Sequence, residues 1–243
     1  MKYHRKKGQV SYGEAIGIIL LDSEAPFVPG DVANATTYDF PVRFQRVEGL
    51  TVQKMMDHDK SSLEGVIEAA ELLKKEGVRA ITSDCGFMAL YQKELRERLE
   101  IPIFLSSLLQ IPFIGEIIPY GKKIGIITAN ARSLTEDVIR MCGIEDVDNL
   151  VIAGLEDEPN FSSAFLLEEG FVDTEMVEEE VVDKALKLQK DNPDIGAILL
   201  ECSVLPPYAE AVQRATGLPV FDFVTMIRHV FSAVVRESGG GFM

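Results

Sequence analysis

Val78-Arg-Ala-Ile-Thr-Ser-Asp-Cys85 and Ile195-Gly-Ala-Ile-Leu-Leu-Glu-Cys202 are two copies of one pattern: an apolar run, an acidic residue and a cysteine. The match continues at one constant offset. Asp84 meets Glu201, Tyr91 meets Tyr208, Pro102 meets Pro219 and Phe104 meets Phe221, so the intervening helix and the strand after it repeat without a gap. Ile16-Gly-Ile-Ile19 and Ile124-Gly-Ile-Ile127 form an earlier pair of the same kind. Each cysteine falls where a buried strand runs out and a helix is about to begin, which reads as a paired reactive site.

Outward from these copies, Ile16-Gly-Ile-Ile-Leu-Leu21 is continuously apolar, as a parallel strand covered on both faces must be, and it delivers Asp22-Ser23 at its end. Phe40, Val42 and Phe44 alternate with Pro41, Arg43 and Gln45, predicting a strand that Pro41 assigns to a sheet edge. Ser61-x-x-Glu64 has capping-box form and opens a helix whose apolar stripe Leu63, Val66, Ile67, Ala70 and Leu73 stops at Gly77. A strand over 78–82, a helix over 88–99 with a Glu94–Arg98 pair, and a strand over 101–105 follow. The second half replays this with strands over 124–128, 150–153, 195–200 and 218–221 and helices over 133–141 and 174–189. A further helix is opened by Pro206-Pro207 and closed by Gly217, and a last one covers 224–236. Gly239-Gly-Gly-Phe-Met243 reads as a frayed tail.

Strands alternating with amphipathic helices predict an α/β fold of two similar lobes, each a short parallel sheet flanked by helices and related by a pseudo-two-fold. Residues 1–108 plus 219–243 form the first lobe and 109–218 the second. Sites in such sheets lie beyond the C-terminal strand ends, so the active site is expected in the cleft between lobes. Asp22, Cys85, Thr128, Asn130 and Cys202 all come from such ends.

The chain of 243 residues is 47% hydrophobic and 26% charged, with no apolar run long enough to span a bilayer. Its net charge of −15 disfavours nucleic acid and anionic membranes, whereas helix N-termini and backbone N–H groups still permit a small carboxylate to bind locally. Three cysteines without Cys-x-x-Cys spacing argue against a disulfide framework and for a reducing compartment. The basic N-terminus lacks an apolar stretch behind it, and a cytoplasmic protein is expected.

Ile16-Gly-Ile-Ile-Leu-Leu-Asp22-Ser23, Thr82-Ser-Asp-Cys85, Leu200-Glu-Cys202 and Ile124-Gly-Ile-Ile-Thr-Ala-Asn130 together resemble the aspartate/glutamate/hydantoin racemase superfamily over nearly the whole chain. The resemblance implies a cofactor-independent isomerase, a racemase or epimerase acting on a carbon next to a carboxylate in a small substrate. It also implies one cysteine from each lobe at the active site, substrate contacts from Asp22, Ser23 and the loop through Thr128 and Asn130, and an option of homodimerisation. Glutamate racemases usually carry Asn-Thr and Thr-His after the two cysteines, whereas this chain has Gly86-Phe87 and Ser203-Val204. Phe27-Val-Pro-Gly30 resembles the arylmalonate decarboxylase branch, which keeps only the second cysteine; maleate isomerases belong to the same superfamily.

Inversion at carbon requires a base on one face and an acid on the other, and two thiols of unperturbed pKa about 8.5 facing across a cleft meet that need. Gly86 and Ser203 are positioned to offer backbone N–H groups to the developing charge, with Phe87 beside them. The alternatives are a cis–trans isomerase or decarboxylase using the same cleft, with Cys202 alone protonating or attacking substrate, or a sensor that binds a carboxylate without chemistry.

Cys142 on its helix reads as a small buried hydrophobe. Asp84 and Glu201 read either as auxiliary bases or, by strand alternation, as groups turned away from the thiols, the second being favoured. Asp22 also suits a simple turn, and Thr128 and Asn130 suit caps for the next helix. Tyr91 and Tyr208 read as packing residues, and Glu178-Glu-Glu180 as a solvated helix face. His4, His58 and His229 show no ligand spacing, so no metal and no cofactor are expected.

Overall fold

A computed structural model describes residues 2–236 as two parallel sheets flanked by helices. In the first sheet β1 (Ile16–Leu20) lies between β2 (Val42–Arg46) and β3 (Ala80–Ser83). Helices α1 (Val52–Met56) and α2 (Leu63–Glu76) connect β2 to β3, and α3 (Gln92–Arg98) and α4 (Ile111–Ile117) lead out of that sheet. The second sheet contains β4 (Lys123–Thr128), β5 (Leu150–Gly154), β6 (Ile195–Leu200) and β7 (Val220–Phe221), in the order β5-β4-β6-β7. Its connections carry α5 (Glu136–Met141), α6 (Pro159–Phe161), α7 (Thr174–Asp191) and α8 (Ala209–Thr216), and α9 (Phe223–Val234) follows β7.

Ile16, Ile18 and Ile19 are fully buried, because β1 has a neighbour on each side and packed elements over both faces; such a strand has no solvent face and no reason to alternate. β2 is an edge strand as expected, with Pro41 standing just ahead of its first paired residue. One apolar cluster joins Phe87, Met88, Leu108 and Ile111 to Ile126, Val138, Ala197 and Leu199, so the lobes share a core rather than meeting through water. Among the described residues no helix is long and apolar enough to cross a membrane. The tail expected over 239–243 lies outside the described residues.

Several local expectations are corrected. The strand expected over 101–105 is reduced to a single bridge between Ile81 and Ile103. Side chains take over the ladder there: the Thr82 and Ser83 hydroxyls donate to the carbonyls of Phe104 and Leu105, and the Gln92 amide donates to the Ile103 carbonyl and accepts from the Leu105 N–H. The capping box at Ser61 does not form; Ser61 donates its hydroxyl to Asp59, and Ser62 occupies the N-cap without a side-chain bond to the helix backbone. At the other end of α2, Gly77 adopts the left-handed φ of 98° that stops the helix. Glu94 and Arg98 pair with Lys60 and Glu64 instead of with each other. The chain also returns to the first lobe later than residue 219. Val220–Phe221 pairs with β6, and the crossing comes at Asp222, whose carboxylate and Thr225 form the capping box of α9. Phe223, Met226 and Ile227 then cover Ile16, Ile18 and Ala80 of the first sheet.

Candidate active site

Both duplicated strands end in the same construction. The Asp84 N–H donates to the Ile19 carbonyl at 3.0 Å and the Glu201 N–H to the Ile127 carbonyl at 2.8 Å, after which each chain steps out of its sheet at a cysteine. The Ser203 hydroxyl donates to the Asp84 carbonyl oxygen, and the Ser107 hydroxyl donates to the Glu201 carbonyl at 3.0 Å. The Ser203 bond crosses from one lobe to the other, as does the Val32 N–H to Ser203 carbonyl bond at 3.3 Å, so the two strand ends are tied face to face.

Cys85 and Cys202 line one narrow cleft that opens to solvent. Leu21, Ala25, Phe27, Val52 and Met56 supply apolar wall from the first lobe, and Ala129, Phe165, Leu166 and Val204 from the second. Ser23, Asp84 and Ser203 complete the lining, which among the described residues contains no lysine, arginine or histidine. Among the described residues no three His, Cys, Asp or Glu side chains are grouped as a metal ion would need.

Burial is the largest influence on both thiols and pushes both pKa values up. They are nevertheless unequal. Cys85 is raised further by Cys202, Glu201 and Asp84 and is relieved by one backbone N–H, from Phe87. Cys202 is raised further by Glu201 and Asp31 but receives two backbone N–H groups, from Val204 and Ser203. Neighbouring backbone N–H groups favour the thiolate, and Cys202 has more of that relief than Cys85.

Asp84 and Glu201 have separate roles behind the pair. Asp84 Oδ1 accepts the Leu21 N–H at 2.9 Å while its side chain lines the cleft, and burial pushes it up to about 7. The alternation argument therefore fails for Asp84, because the chain leaves the sheet before alternation can turn it away. Glu201 accepts the Thr128 hydroxyl at 2.8 Å, is pushed up to about 7 by burial, and leaves Oε1 without a hydrogen-bond partner among the described residues. Asp31 is a third buried carboxyl that sequence reasoning missed; burial raises it well above its ordinary value. Three such groups around two thiols, with no basic side chain between them, are held protonated to higher pH than free carboxyls.

The remaining expected residues divide. Ser23 and Ser203 reach the cleft. Asp22 does not; it accepts the Gly49 N–H at 2.8 Å and pairs with Arg46. Asn130 caps the turn ahead of α5 by accepting the Arg132 and Ser133 N–H groups, and Thr128 is fully buried against Glu201. Phe87 is buried in the shared core, and its backbone lowers the Cys85 thiol against the effect of burial. Cys142 lies away from the cleft, pushed up to about 12 by burial. Tyr91 donates its hydroxyl to the Asp59 carbonyl, and Tyr208 is buried with no partner for its hydroxyl among the described residues.

Gly86 is required by space. A Cβ there would stand 1.6 Å from Glu201 Oε1 and 2.9 Å from the Glu201 carbonyl oxygen. Gly86→Ala is expected to lower stability by roughly 1–3 kcal/mol, read as a lower urea midpoint at unchanged slope; an unchanged midpoint contradicts the packing.

The segment over 161–170 closes the cleft from the second lobe. A π-helical turn, Ser162–Leu166, brings Phe165 and Leu166 into the wall. Glu168, at a left-handed φ of 52°, accepts from the Ser23 hydroxyl and from the Glu24 N–H at 3.0 Å across the cleft. Glu168→Ala is expected to raise KM about fivefold by loosening this tie, with kcat nearly unchanged; equal losses in both contradict a closing role.

Residues 57–228 match the family described as Asp/Glu/Hydantoin racemase. The chain belongs to that family. A dimethylsulfoniopropionate lyase of Durusdinium sp. clade D is 36% identical over 219 residues, covering 86% of this chain and 71% of its own length. Dimethylsulfoniopropionate lyase 3 of Emiliania huxleyi (strain CCMP1516) is 33% identical over 238 residues, covering 91% of this chain and 60% of its own length. This racemase-family chain thus spans only about two thirds of these relatives. The allantoin racemase from Pseudomonas fluorescens shares the fold, with a TM-score of 0.61 at 19% identity over 91% of each chain. Family membership and these relatives support an enzyme, but the curated relatives are lyases by name, so the isomerase expectation is not carried over from them. The family match begins after Ser23, Ala25 and Phe27, so part of the cleft wall is supplied by chain ahead of it.

Proposed function

We propose that this protein is a lyase that eliminates a neutral leaving group from the carbon β to a carboxylate, with dimethylsulfoniopropionate or a close analogue as substrate. One observation carries the reading: two thiols share a cleft that contains a carboxyl group and no basic side chain. A malonate brings two negative charges into such a cleft and an acidic amino acid brings a net one, whereas a sulfonio carboxylate is a zwitterion and brings none. Desolvating uncompensated charge is costly, so the zwitterion is favoured. The names of the two curated relatives point the same way.

In this reading the Cys202 thiolate removes a proton from the carbon next to the carboxylate. The electron pair left on that carbon forms the new C=C bond as the C–S bond breaks, and its electrons leave with dimethyl sulfide. The products are dimethyl sulfide, acrylate and the proton now on Cys202, which returns to solvent. Carboxylate binding falls to backbone N–H groups at the strand ends, because no cation is available. Cys85 stands across the substrate as a polar wall and needs no proton transfer to carbon.

Incubation with dimethylsulfoniopropionate in D₂O, followed by proton NMR, tests the reading. Equal amounts of dimethyl sulfide and acrylate are expected. Racemisation, which the presence of both sulfurs in one cleft favours as the second reading, instead gives deuterium at the carbon next to the carboxylate of a chiral acid supplied in a parallel incubation, with no fragment released.

A further inference from the structure

Phe27 and Phe165 enter the cleft from opposite lobes, Phe27 from the chain after β1 and Phe165 from the π-helical turn. Phe165 is backed by Phe161 at a centroid separation of 5.1 Å and a tilt of 52°, and Phe27 packs against the same cluster, so both rings are held by neighbours. Met56 adds a polarisable thioether to the wall. Among the described residues no positive charge borders this apolar wall, and the carboxyl at its rim is Glu168, bonded to Ser23. Aromatic faces attract cations whose methyl groups are partly desolvated, and they do so most strongly where water is excluded.

We propose that Phe27 and Phe165 form a cradle for an onium group, so that the cleft selects substrates whose positive charge sits on the atom that leaves. The proposal rests on the elimination reading for the identity of the leaving group, but not for the cradle itself. In the proposed complex the reacting carbon lies at the thiols and the β substituent of a three-carbon acid lies against these rings, which line the same cleft. The fixed cation that the described cleft lining lacks is thereby brought in by the substrate, and the charge is lost once the C–S bond breaks, since dimethyl sulfide is neutral and no longer held by the rings. Charge on the ligand, and not its shape, is what this wall reads.

Two probes of nearly equal shape separate charge from shape: 3-(trimethylammonio)propionate, whose amine leaves far less readily than a sulfide, and its neutral-headed counterpart 4,4-dimethylpentanoate. Calorimetric titration of the full chain is expected to show the ammonio compound binding about tenfold more tightly. Phe27→Leu and Phe165→Leu are each expected to narrow that ratio by about threefold while affinity for 4,4-dimethylpentanoate stays nearly constant. A packing defect weakens both probes alike and leaves the ratio intact. Equal affinities in the parent protein, or a ratio that neither leucine variant narrows, overturn the cradle. Release of dimethyl sulfide by a protein with equal probe affinities overturns the cradle alone; absence of that release alongside a tenfold preference overturns the elimination reading and leaves the cradle standing.

Discussion

Cys202→Ala lowers kcat for elimination by roughly 10²–10⁴-fold, the ordinary contribution of a positioned general base. Cys85→Ala lowers it by only about tenfold, because forming an alkene asks for one proton to leave carbon and none to arrive. The asymmetry follows from the surroundings of the sulfurs: the backbone at Val204 and Ser203 offsets part of the rise that burial gives Cys202, whereas only the backbone at Phe87 does so for Cys85, which also bears the repulsion of Cys202, Glu201 and Asp84. Steady-state assays of dimethyl sulfide release by both variants check it, with circular dichroism to confirm folding. Equal and large losses in both contradict the one-base mechanism and restore a two-thiol reaction.

Stability is expected to fall as pH rises from about 4 to about 7. Asp84 and Glu201 are pushed up to about 7 in the folded chain, against about 4 for free carboxyls. Below that window both states hold the protons. Within it the unfolded chain releases protons that the folded one retains, so the folded state is progressively disfavoured, by at most about 1.4 kcal/mol per pH unit for each group. Above about 7 both states are ionised and the penalty is constant. Asp31 and Asp222, raised mainly by burial, act in the same direction. Urea denaturation across pH 4 to 8, compared with an Asp84→Asn, Glu201→Gln double variant, measures the effect. The variant should show a shallower slope and higher stability at pH 8; an unchanged slope shows that these carboxyls are ionised in the fold.

The duplicated strands were legible because a strand buried on both faces leaves a continuous apolar run, and β6 has the bounds that its run defines. The placement of both thiols in one cleft followed from the same repeat. What escaped was carried by contacts distant in sequence. Phe165 and Leu166 lie in a π-helical turn with no readable period, and Val52 and Met56 lie on a five-residue helix too short to show one. The resemblance points Asp22 and Asn130 toward substrate while their positions equally suit a turn and a cap; Asn130 caps the turn ahead of α5, and Asp22 accepts the Gly49 N–H from a loop 27 residues away. Asp84 went the other way. Its equivalence to Glu201 was visible, but only the direction in which the chain leaves β3 turns it to the cleft while Glu201 lies buried under Gly86.

A structure of the protein bound to 3-(trimethylammonio)propionate tests the central claim most directly. The expected complex has the carbon next to the carboxylate between the sulfurs of Cys85 and Cys202, with the methylated head against Phe27 and Phe165. A ligand seated elsewhere, or one that meets only one of the two sulfurs, contradicts it.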